Sequence, residues 1–268
     1  MEPSREMFEA GRRLGGGVAD PSRAAFLDLL QTLAAEPRRR ALTRICAMIG
    51  ETARGPDDLR LADLLRPSAV SRAVLDERRR GAPSRSVAVC QVHRHLARAS
   101  LGALSALWLL EGSIATAGPG EARFLIEERA IGLRPRAVTP DWRAAAPDEV
   151  RAASADLLAL LGAIDRTQPR KGGPILASNH AIGLLSPWLA LCRAGAPRPA
   201  ARSAMRTYLA AFAPDCVDAI DWEADRAGFE AGGGGAAITR RACCLKYSSA
   251  ARSFCGTCPF RTGDPAIA

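Results

Sequence analysis

Four cysteines near the end of the chain have the residue type and the spacing to hold a metal centre. Cys243 and Cys244 are adjacent, ten residues follow, and two residues separate Cys255 from Cys258. Thiolates gathered in one short segment are typical of structural zinc sites, iron–sulfur clusters or disulfides. The remaining four cysteines are scattered, and we expect them to be small buried side chains. They are Cys46, Cys90, Cys192 and Cys216.

The spacing of the two cysteine pairs narrows the choice of metal. Cys255 and Cys258 enclose Gly256 and Thr257, a spacing that turns two sulfurs toward one ion in zinc and iron–sulfur sites alike. Adjacent residues of an extended chain point their side chains in opposite directions. An adjacent pair therefore favours a two-iron cluster over one tetrahedral zinc ion, although zinc stays open as an alternative.

Basic residues surround these cysteines. Arg240, Arg241 and Lys246 lie within the segment, and no acidic residue occurs between Ala231 and Gly263. Positive charge favours the reduced form of an anionic four-thiolate cluster and attracts anionic partners. The three residues are therefore candidates for tuning a cluster or for facing a substrate. Since arginine is abundant throughout the chain, a background origin of the patch also stays open.

The overall charge is less informative than this local cluster. The chain has 268 residues and a formal net charge of +9, but only two of its 37 basic residues are lysines. This bias, together with the many alanines and glycines, indicates a compositional background. A nucleic-acid footprint would need a clustered basic stripe. We therefore expect no nucleic-acid partner.

The lengths of the apolar stretches indicate where in the cell the protein is expected. The first twenty residues have mixed charge and no apolar run, which argues against a secretory signal. The stretch 101–110 is too short to span a bilayer, and 175–192 contains polar residues and a proline. We expect a cytoplasmic protein without a transmembrane segment, and contact with the inner face of the membrane stays open. Cytoplasmic thiols remain reduced, which favours metal ligation over disulfides.

Hydrophobic periodicity predicts the elements that must position the cysteines. We expect an α+β fold with a predominantly helical body, a small β element and a C-terminal cysteine-rich module. The helical region is assigned to 1–111, a mixed α/β region to 112–235 and the module to 236–268. A strand pair is predicted at 124–126 and 130–133.

Local signals mark several helix boundaries. Asp20 followed by a proline predicts a helix start. A long helix is predicted over 86–111, and Pro187 is predicted to kink or split a second apolar helix over 175–192. The arginine-rich stretch 76–85 is predicted to be a loop.

The other candidate site residues indicate no further chemistry. His93 and His95 are two residues apart, so on a helix they point in different directions and do not share a metal. His180 is expected to be a hydrogen-bonded core residue. The chain has no G-x-G-x-x-G motif, so no flavin or nicotinamide site is indicated. A redox role would therefore require an external electron-donor protein.

Two segments resemble a known family. Residues 240–247 read RRACCLKY and residues 254–259 read FCGTCP. They resemble the C-terminal signature of the FhuF-like ferric-siderophore reductases, R-R-x-C-C-L-x-Y followed by C-G-x-C-P with ten residues between the second and third cysteines. The strong match covers about residues 240–261. Upstream, Asn179 keeps the asparagine of a tryptophan–glycine–asparagine run that is frequent in the family.

The resemblance implies a function. It implies a [2Fe–2S] cluster bound by Cys243, Cys244, Cys255 and Cys258, and no catalytic residue beyond the cluster. The protein would be a cytosolic reductase that passes one electron to siderophore-bound Fe³⁺ and releases Fe²⁺, with hydroxamate siderophores favoured. Two alternatives stay open: a zinc-stapled four-cysteine binding module, with nucleic acid as a conceivable partner, and a cluster protein that senses iron or redox state without turnover.

Overall fold

The computed structural model describes residues 20–50, 59–126, 135–137, 141–164, 173–223, 237–246, 255 and 257–258. Within these residues the chain is mostly helical, with three small antiparallel sheets. The helices are α1 (Pro21–Thr32), α2 (Ala35–Ile49), α3 (Leu61–Leu64), α4 (Pro67–Arg79), α5 (Arg85–Glu111), α6 (Pro147–Gly162), α7 (Gly173–Leu184), α8 (Ser186–Arg193) and α9 (Arg198–Phe212). The strands are β1 (Leu59–Arg60), β2 (Ser113–Ala115), β3 (Arg123–Ile126), β4 (Pro135–Ala137), β5 (Trp142–Ala144), β6 (Ile220–Asp221) and β7 (Thr239–Arg240).

Side-chain caps explain where two of these helices begin. The Asp20 carboxylate accepts from the backbone N–H of Arg23 at 2.9 Å, which satisfies one of the free donors at the start of α1. Ser84 does the same for Val87 at the start of α5. Helix α5 ends at Gly112, whose φ of 64° is the left-handed conformation that glycine adopts without strain. The predicted helix start at Asp20 is therefore confirmed.

Helix α5 is the centre of the body. Its 27 residues are buried on most sides by α2, α4, α7 and α8. Helix α7 approaches it so closely at Gly183 that an added Cβ would lie 2.6 Å from the carbonyl oxygen of Ala97. A glycine is therefore required at this crossing, and the crossing sets the distance between the two helices that carry the site.

The apolar stretch 175–192 folds as two helices rather than one. Helices α7 and α8 meet at Leu185 with a bend of 62°, and Pro187 lies in the first turn of α8. Proline is tolerated there because its missing N–H would lack an intrahelical partner anyway. The predicted kink is thus confirmed. Among the described residues no single helix has the length and apolarity to cross a bilayer; α7 and α8 meet those criteria only when counted together as a bent pair.

The small sheets are all antiparallel. Strand β3 lies between β1 and β4, β2 pairs with β5, and β6 pairs with β7. The β6–β7 pair matters most for function because it places Ile220 opposite Arg240 and so docks the cysteine segment on the body.

The sequence prediction of an α+β, mostly helical fold is confirmed. The loop predicted at 76–85 is partly wrong, since α4 continues to Arg79; Val70 and Val74 are buried, and the charged residues occupy largely the solvent-facing side of the same helix. The strand predicted at 124–126 is present, whereas 130–133 lies outside the described residues. Buried apolar side chains from Phe26 to Ile238 form one core cluster, and the region boundaries stay a prediction.

A candidate metal centre beside a cationic cleft

Backbone hydrogen bonds bring the two cysteine pairs together. Arg240 in β7 donates its backbone N–H to the carbonyl of Thr257 at 3.0 Å, which joins the first half of the segment to the second. The N–H of Cys258 donates to the carbonyl of Cys255, also at 3.0 Å, and closes the turn between them. The folded segment therefore presents all four sulfurs in one place.

Helix α5 anchors the first pair. The side-chain amide of Gln91 donates to the carbonyl of Cys244 at 2.6 Å. The next residue, Leu245, has a φ of 59°, a left-handed conformation that is uncommon for a residue with a side chain. This turn lets the N–H of Leu245 donate to the sulfur of Cys243 at 3.3 Å. A backbone donor aimed at a sulfur stabilises a thiolate.

Each sulfur of the first pair contacts one sulfur of the second. The Sγ atoms of Cys244 and Cys255 are 3.6 Å apart, and the thiols of Cys243 and Cys258 are hydrogen-bonded. A tetrahedral site with metal–sulfur bonds of about 2.3 Å places two thiolates about 3.8 Å apart, which is close to this separation. A disulfide would need a sulfur–sulfur distance of about 2.05 Å, and all eight cysteines are free thiols.

The donor set fits the iron–sulfur expectation. Four thiols occupy one site as two contacting pairs, and a [2Fe–2S] cluster takes four cysteine ligands shared between two irons. Within the described part of the chain, no group of three or more histidine, cysteine, aspartate or glutamate side chains has the arrangement to hold a metal ion. The agreement therefore concerns the donor types and their pairing alone.

Protonation differs among three of the thiols. A hydrogen bond donated by Cys244 lowers the pKa of Cys255 to about 6, against the opposing effect of burial, and the charge of Arg240 and the Thr257 hydroxyl lower it further. The same hydrogen bond and burial raise the pKa of Cys244, and burial raises that of Cys243. Of these three, Cys255 is therefore the thiol most readily present as the thiolate that a metal needs.

Arg240 is a buried cation held by neutral partners. Its side chain is in the wall of the site, and the residue is only 3% exposed. Its Nε donates to the hydroxyl of Thr257 at 3.1 Å, and its Nη1 donates to Oδ1 of Asn179 on α7 at 2.5 Å. Because neither partner carries charge, the positive charge of Arg240 remains available to the sulfurs. Arg241, next in sequence, is exposed.

A hydrogen-bonded chain runs from Arg240 into the body. Asn179 uses its oxygen to accept from Arg240, so its amide nitrogen donates to the carbonyl of Cys90 and to Nδ1 of His93. His93 must then carry its proton on Nε2, which donates to Nε2 of His180 at 3.0 Å. Burial lowers the pKa of His180 to about 4 and that of His93 well below its usual value, so both rings are neutral. The expected hydrogen-bonded core role of His180 agrees with this contact.

A cleft of about 380 Å³ opens beside the cysteines. Cys255 is in its wall, and the other walls come from α2, α5, α7 and α8. Five lining residues carry positive charge: Arg94, Arg98, Arg193, Arg240 and Lys246. Lys246, one of the predicted substrate-side residues, therefore faces this cleft, whereas Arg241 is not among its described lining residues.

Several residues of this site were not identified from the sequence. Arg94 and Arg98 are four apart on one helix, so their spacing could have predicted a common face. Arg193 and Gln91 carry no comparable signal, because only the folding of distant segments brings them to the cysteines. Thr257 lies between Cys255 and Cys258, but its hydrogen bond with Arg240 depends on the fold. No family model, curated protein or solved structure matches this chain.

Proposed function

We propose that this chain is a ferric-siderophore reductase that uses a [2Fe–2S] cluster bound by Cys243, Cys244, Cys255 and Cys258. The observation that carries the proposal is the gathering of these four thiols beside an open cleft, with Cys255 in the cleft wall. The substrate class comes from the resemblance of residues 240–247 and 254–259 to the FhuF-like reductases.

The chemistry needs only one electron. When bound, such a cluster supplies that electron: it is oxidised by one equivalent while the siderophore-bound Fe³⁺ becomes Fe²⁺. Siderophores hold Fe³⁺ with hard oxygen donors that bind Fe²⁺ far more weakly, so the reduced iron leaves for other ligands. Neither a nucleophile nor an open coordination position on the protein is required.

The chain's own residues would set the position and the electrostatics of this step. Cys255 faces the cleft, so a bound ferric complex can come close to a ligand sulfur. The buried charge of Arg240 favours the more negative, reduced form of the thiolate-bound centre. Gln91 and the turn at Leu245 fix the first cysteine pair against α5.

The electron has to come from another protein. The sequence has no dinucleotide-binding fingerprint, and we therefore infer an external reduced donor protein. Such a partner would be found in the cytoplasm, where the released Fe²⁺ is used. We place the reductase there as well, with contact to the inner face of the membrane as part of the proposal.

A single-turnover experiment tests the proposal. The protein is purified anaerobically, reduced with dithionite, freed of excess reductant and mixed with a ferric siderophore and a Fe²⁺-specific chromogenic chelator. We expect one trapped Fe²⁺ per cluster, formed at the rate at which the visible spectrum of the oxidised centre returns. A colourless, zinc-containing protein would support the zinc-stapled alternative instead. A reduced cluster that no ferric siderophore oxidises would support a sensing role.

A further inference from the structure

We infer that the cleft beside Cys255 is a binding site for ferric chelates of net negative charge, of the catecholate or carboxylate class, in preference to neutral or cationic hydroxamates. The inference rests on the proposed function for the identity of the metal. Its basis in the structure is the charge lining the cleft, which is independent of the redox chemistry.

Cations enter the cleft from three separate parts of the chain. Helix α5 contributes Arg94 and Arg98, α8 contributes Arg193, and the cysteine module contributes Arg240 and Lys246. Positive charge from three elements converges on a single concave space, which distinguishes it from the arginines spread over the rest of the surface. Such a space concentrates anions and raises the rate at which they bind.

No aspartate or glutamate is among the described residues that line the cleft. The negative groups that act on its arginines are the thiolates of Cys244 and Cys255 and the carboxylate of Glu77, which oppose the charge of Arg94, and the thiolate of Cys255, which opposes that of Arg98. The cysteine module contributes Arg240, Lys246, Cys255 and Thr257 to the described lining, and the sequence between Ala231 and Gly263 contains no acidic residue. Arg98, Arg193 and Arg240 form no salt bridge within the described part of the chain.

The guanidinium groups repel one another across the cleft. Arg98 reaches water, yet the surrounding protein atoms lower its pKa, and the charges of Arg193, Arg94 and Arg240 lower it further. The Nε of Arg94 is buried and has no hydrogen-bond partner among the described residues. A bound anion would offset the repulsion and accept hydrogen bonds from the exposed guanidinium groups of Arg98 and Arg193. A neutral complex would do neither of these as well.

The charge of a ferric chelate depends on its ligand class. Three hydroxamates neutralise Fe³⁺, and an ammonium tail then makes the complex positive. Catecholate groups lose two protons each and leave the complex negative, as do carboxylate chelators with excess carboxylates. Met48, Ile182 and Leu189 add apolar surface to the cleft, against which the carbon skeleton of such a chelate can pack. The charge complementarity therefore selects the anionic classes over the hydroxamates favoured by the sequence resemblance.

Gallium complexes separate binding from reduction. Ga³⁺ has the charge and nearly the radius of Fe³⁺ but is not reduced, so chelate potential does not enter the measurement. Calorimetric titration of the holoprotein would use Ga³⁺ with a linear tris-hydroxamate bearing an ammonium tail, the same ligand succinylated to a carboxylate, a tris-catecholate, and citrate. We expect the succinylated, tris-catecholate and citrate complexes each to bind more tightly than the complex with the ammonium tail. The preference should weaken as salt is raised.

Charge removal at the cleft provides the matched test. Arg98→Gln and Arg193→Gln change exposed side chains and should each weaken binding of the anionic complexes by about twofold to fivefold at low salt. Arg206→Gln, which removes an exposed arginine of α9 away from the lining residues, should leave binding unchanged. Circular dichroism checks that each variant is folded.

Failure of the charge selectivity and failure of the reductase proposal would give different results. If the ammonium and succinylated complexes bind equally, or if Arg206→Gln weakens binding as much as Arg98→Gln does, the charge selectivity is wrong even when single turnover still releases Fe²⁺. If anionic gallium complexes bind as expected but the protein holds no iron, the cleft assignment stands and the reductase proposal does not.

Discussion

The guanidinium of Arg240 donates from Nη1 to the side-chain oxygen of Asn179, across an N–O distance of 2.5 Å. This bond joins the cysteine segment to α7, and Asn179 in turn contacts His93 on α5. The position of the cation beside the sulfurs is thus determined by residues 61 positions and more away in sequence. It also gives a structural role to the asparagine that the family resemblance had singled out.

Replacing Asn179 with alanine should loosen this connection. The change leaves the buried charge of Arg240 without one acceptor and His93 without its donor, which should cost about 2 to 3 kcal/mol of unfolding free energy. Because Arg240 would also lose its fixed position, we expect less iron per chain and a broadened EPR spectrum of the reduced protein. Urea unfolding, iron analysis and EPR measure these three effects.

Ser105→Ala is the control for simple destabilisation. Ser105 is buried in the core, donates to the carbonyl of Leu184 and accepts from Tyr208, away from the cysteines. The variant should lose stability but keep a normal iron content and spectrum. Should the two variants affect the iron centre equally, the Asn179–Arg240 bond would have no specific role there.

Arg240 and Arg241 form a matched pair for electrostatics. Arg240 is buried against the site, whereas its neighbour is exposed to solvent. Since a nearby buried charge is weakly screened, Arg240→Gln should lower the reduction potential by an amount on the order of tens of millivolts. Arg241→Gln should shift it much less because water and salt screen its charge. Redox titration with mediator dyes, followed by EPR, measures the reduction potential of each variant. Equal shifts would contradict the assignment of Arg240 as the residue that acts on the centre.

Gly183 tests the helix crossing that supports the site. Gly183→Ala would place a Cβ 2.6 Å from the Ala97 oxygen and 3.1 Å from the Cβ of Leu101, so α5 and α7 would have to separate. We expect a loss of about 1 to 3 kcal/mol in urea unfolding. Gly162→Ala in α6, where an added Cβ meets nothing within 4 Å, should instead be neutral or stabilise by up to about 1 kcal/mol. A Gly183→Ala variant of wild-type stability would disprove the close crossing.

The buried histidine pair predicts a specific acid sensitivity. Burial lowers the pKa of His180 to about 4, whereas in the unfolded chain a histidine titrates near 6.5. Between these values the unfolded state binds a proton that the folded state does not, so stability is full above about pH 6.5 and falls as the pH drops toward 4. The pKa of the adjacent His93 is lowered as well, by burial, by His180 and by Arg240.

His180→Gln isolates this contribution. Glutamine keeps an oxygen that can accept from His93 but does not titrate, so the acid slope of the unfolding free energy should decrease by up to about 1.4 kcal/mol per pH unit. Urea unfolding of wild type and variant between pH 4 and pH 7 measures the difference. An unchanged slope would mean that His180 takes up its proton in the folded protein.

Local signals explain which elements the sequence predicted correctly. The cap at Asp20, the long apolar face ending at Gly112 and the proline at position 187 each act within a few residues, so they can be recognised without the fold. Within the stretch 76–85, residues 76–79 were wrongly predicted as loop because its arginines outweighed the helical spacing of Val70 and Val74. In the structure those charges simply face solvent on the last turns of α4.

For the site as well, the sequence predicts the features that depend on neighbouring residues and misses those that depend on the fold. Residue type and spacing marked the four cysteines as candidate ligands, and the structure brings their sulfurs together. The cleft could not be predicted, because Arg98 and Arg193 are 95 positions apart and meet only through the packing of α5 against α8. The contact of Cys244 with Cys255 accompanies the backbone hydrogen bond from Arg240 to Thr257, which spacing does not predict.

The identity of the centre is the most direct test of the account. Iron, inorganic sulfide and zinc are measured in anaerobically purified protein, followed by EPR of the dithionite-reduced sample. We predict two irons and two sulfides per chain and a signal from a single unpaired electron, lost on Cys→Ser replacement at 243, 244, 255 or 258 and retained in Cys46→Ser and Cys216→Ser. A colourless protein with stoichiometric zinc, or loss of the signal in Cys216→Ser, would contradict it.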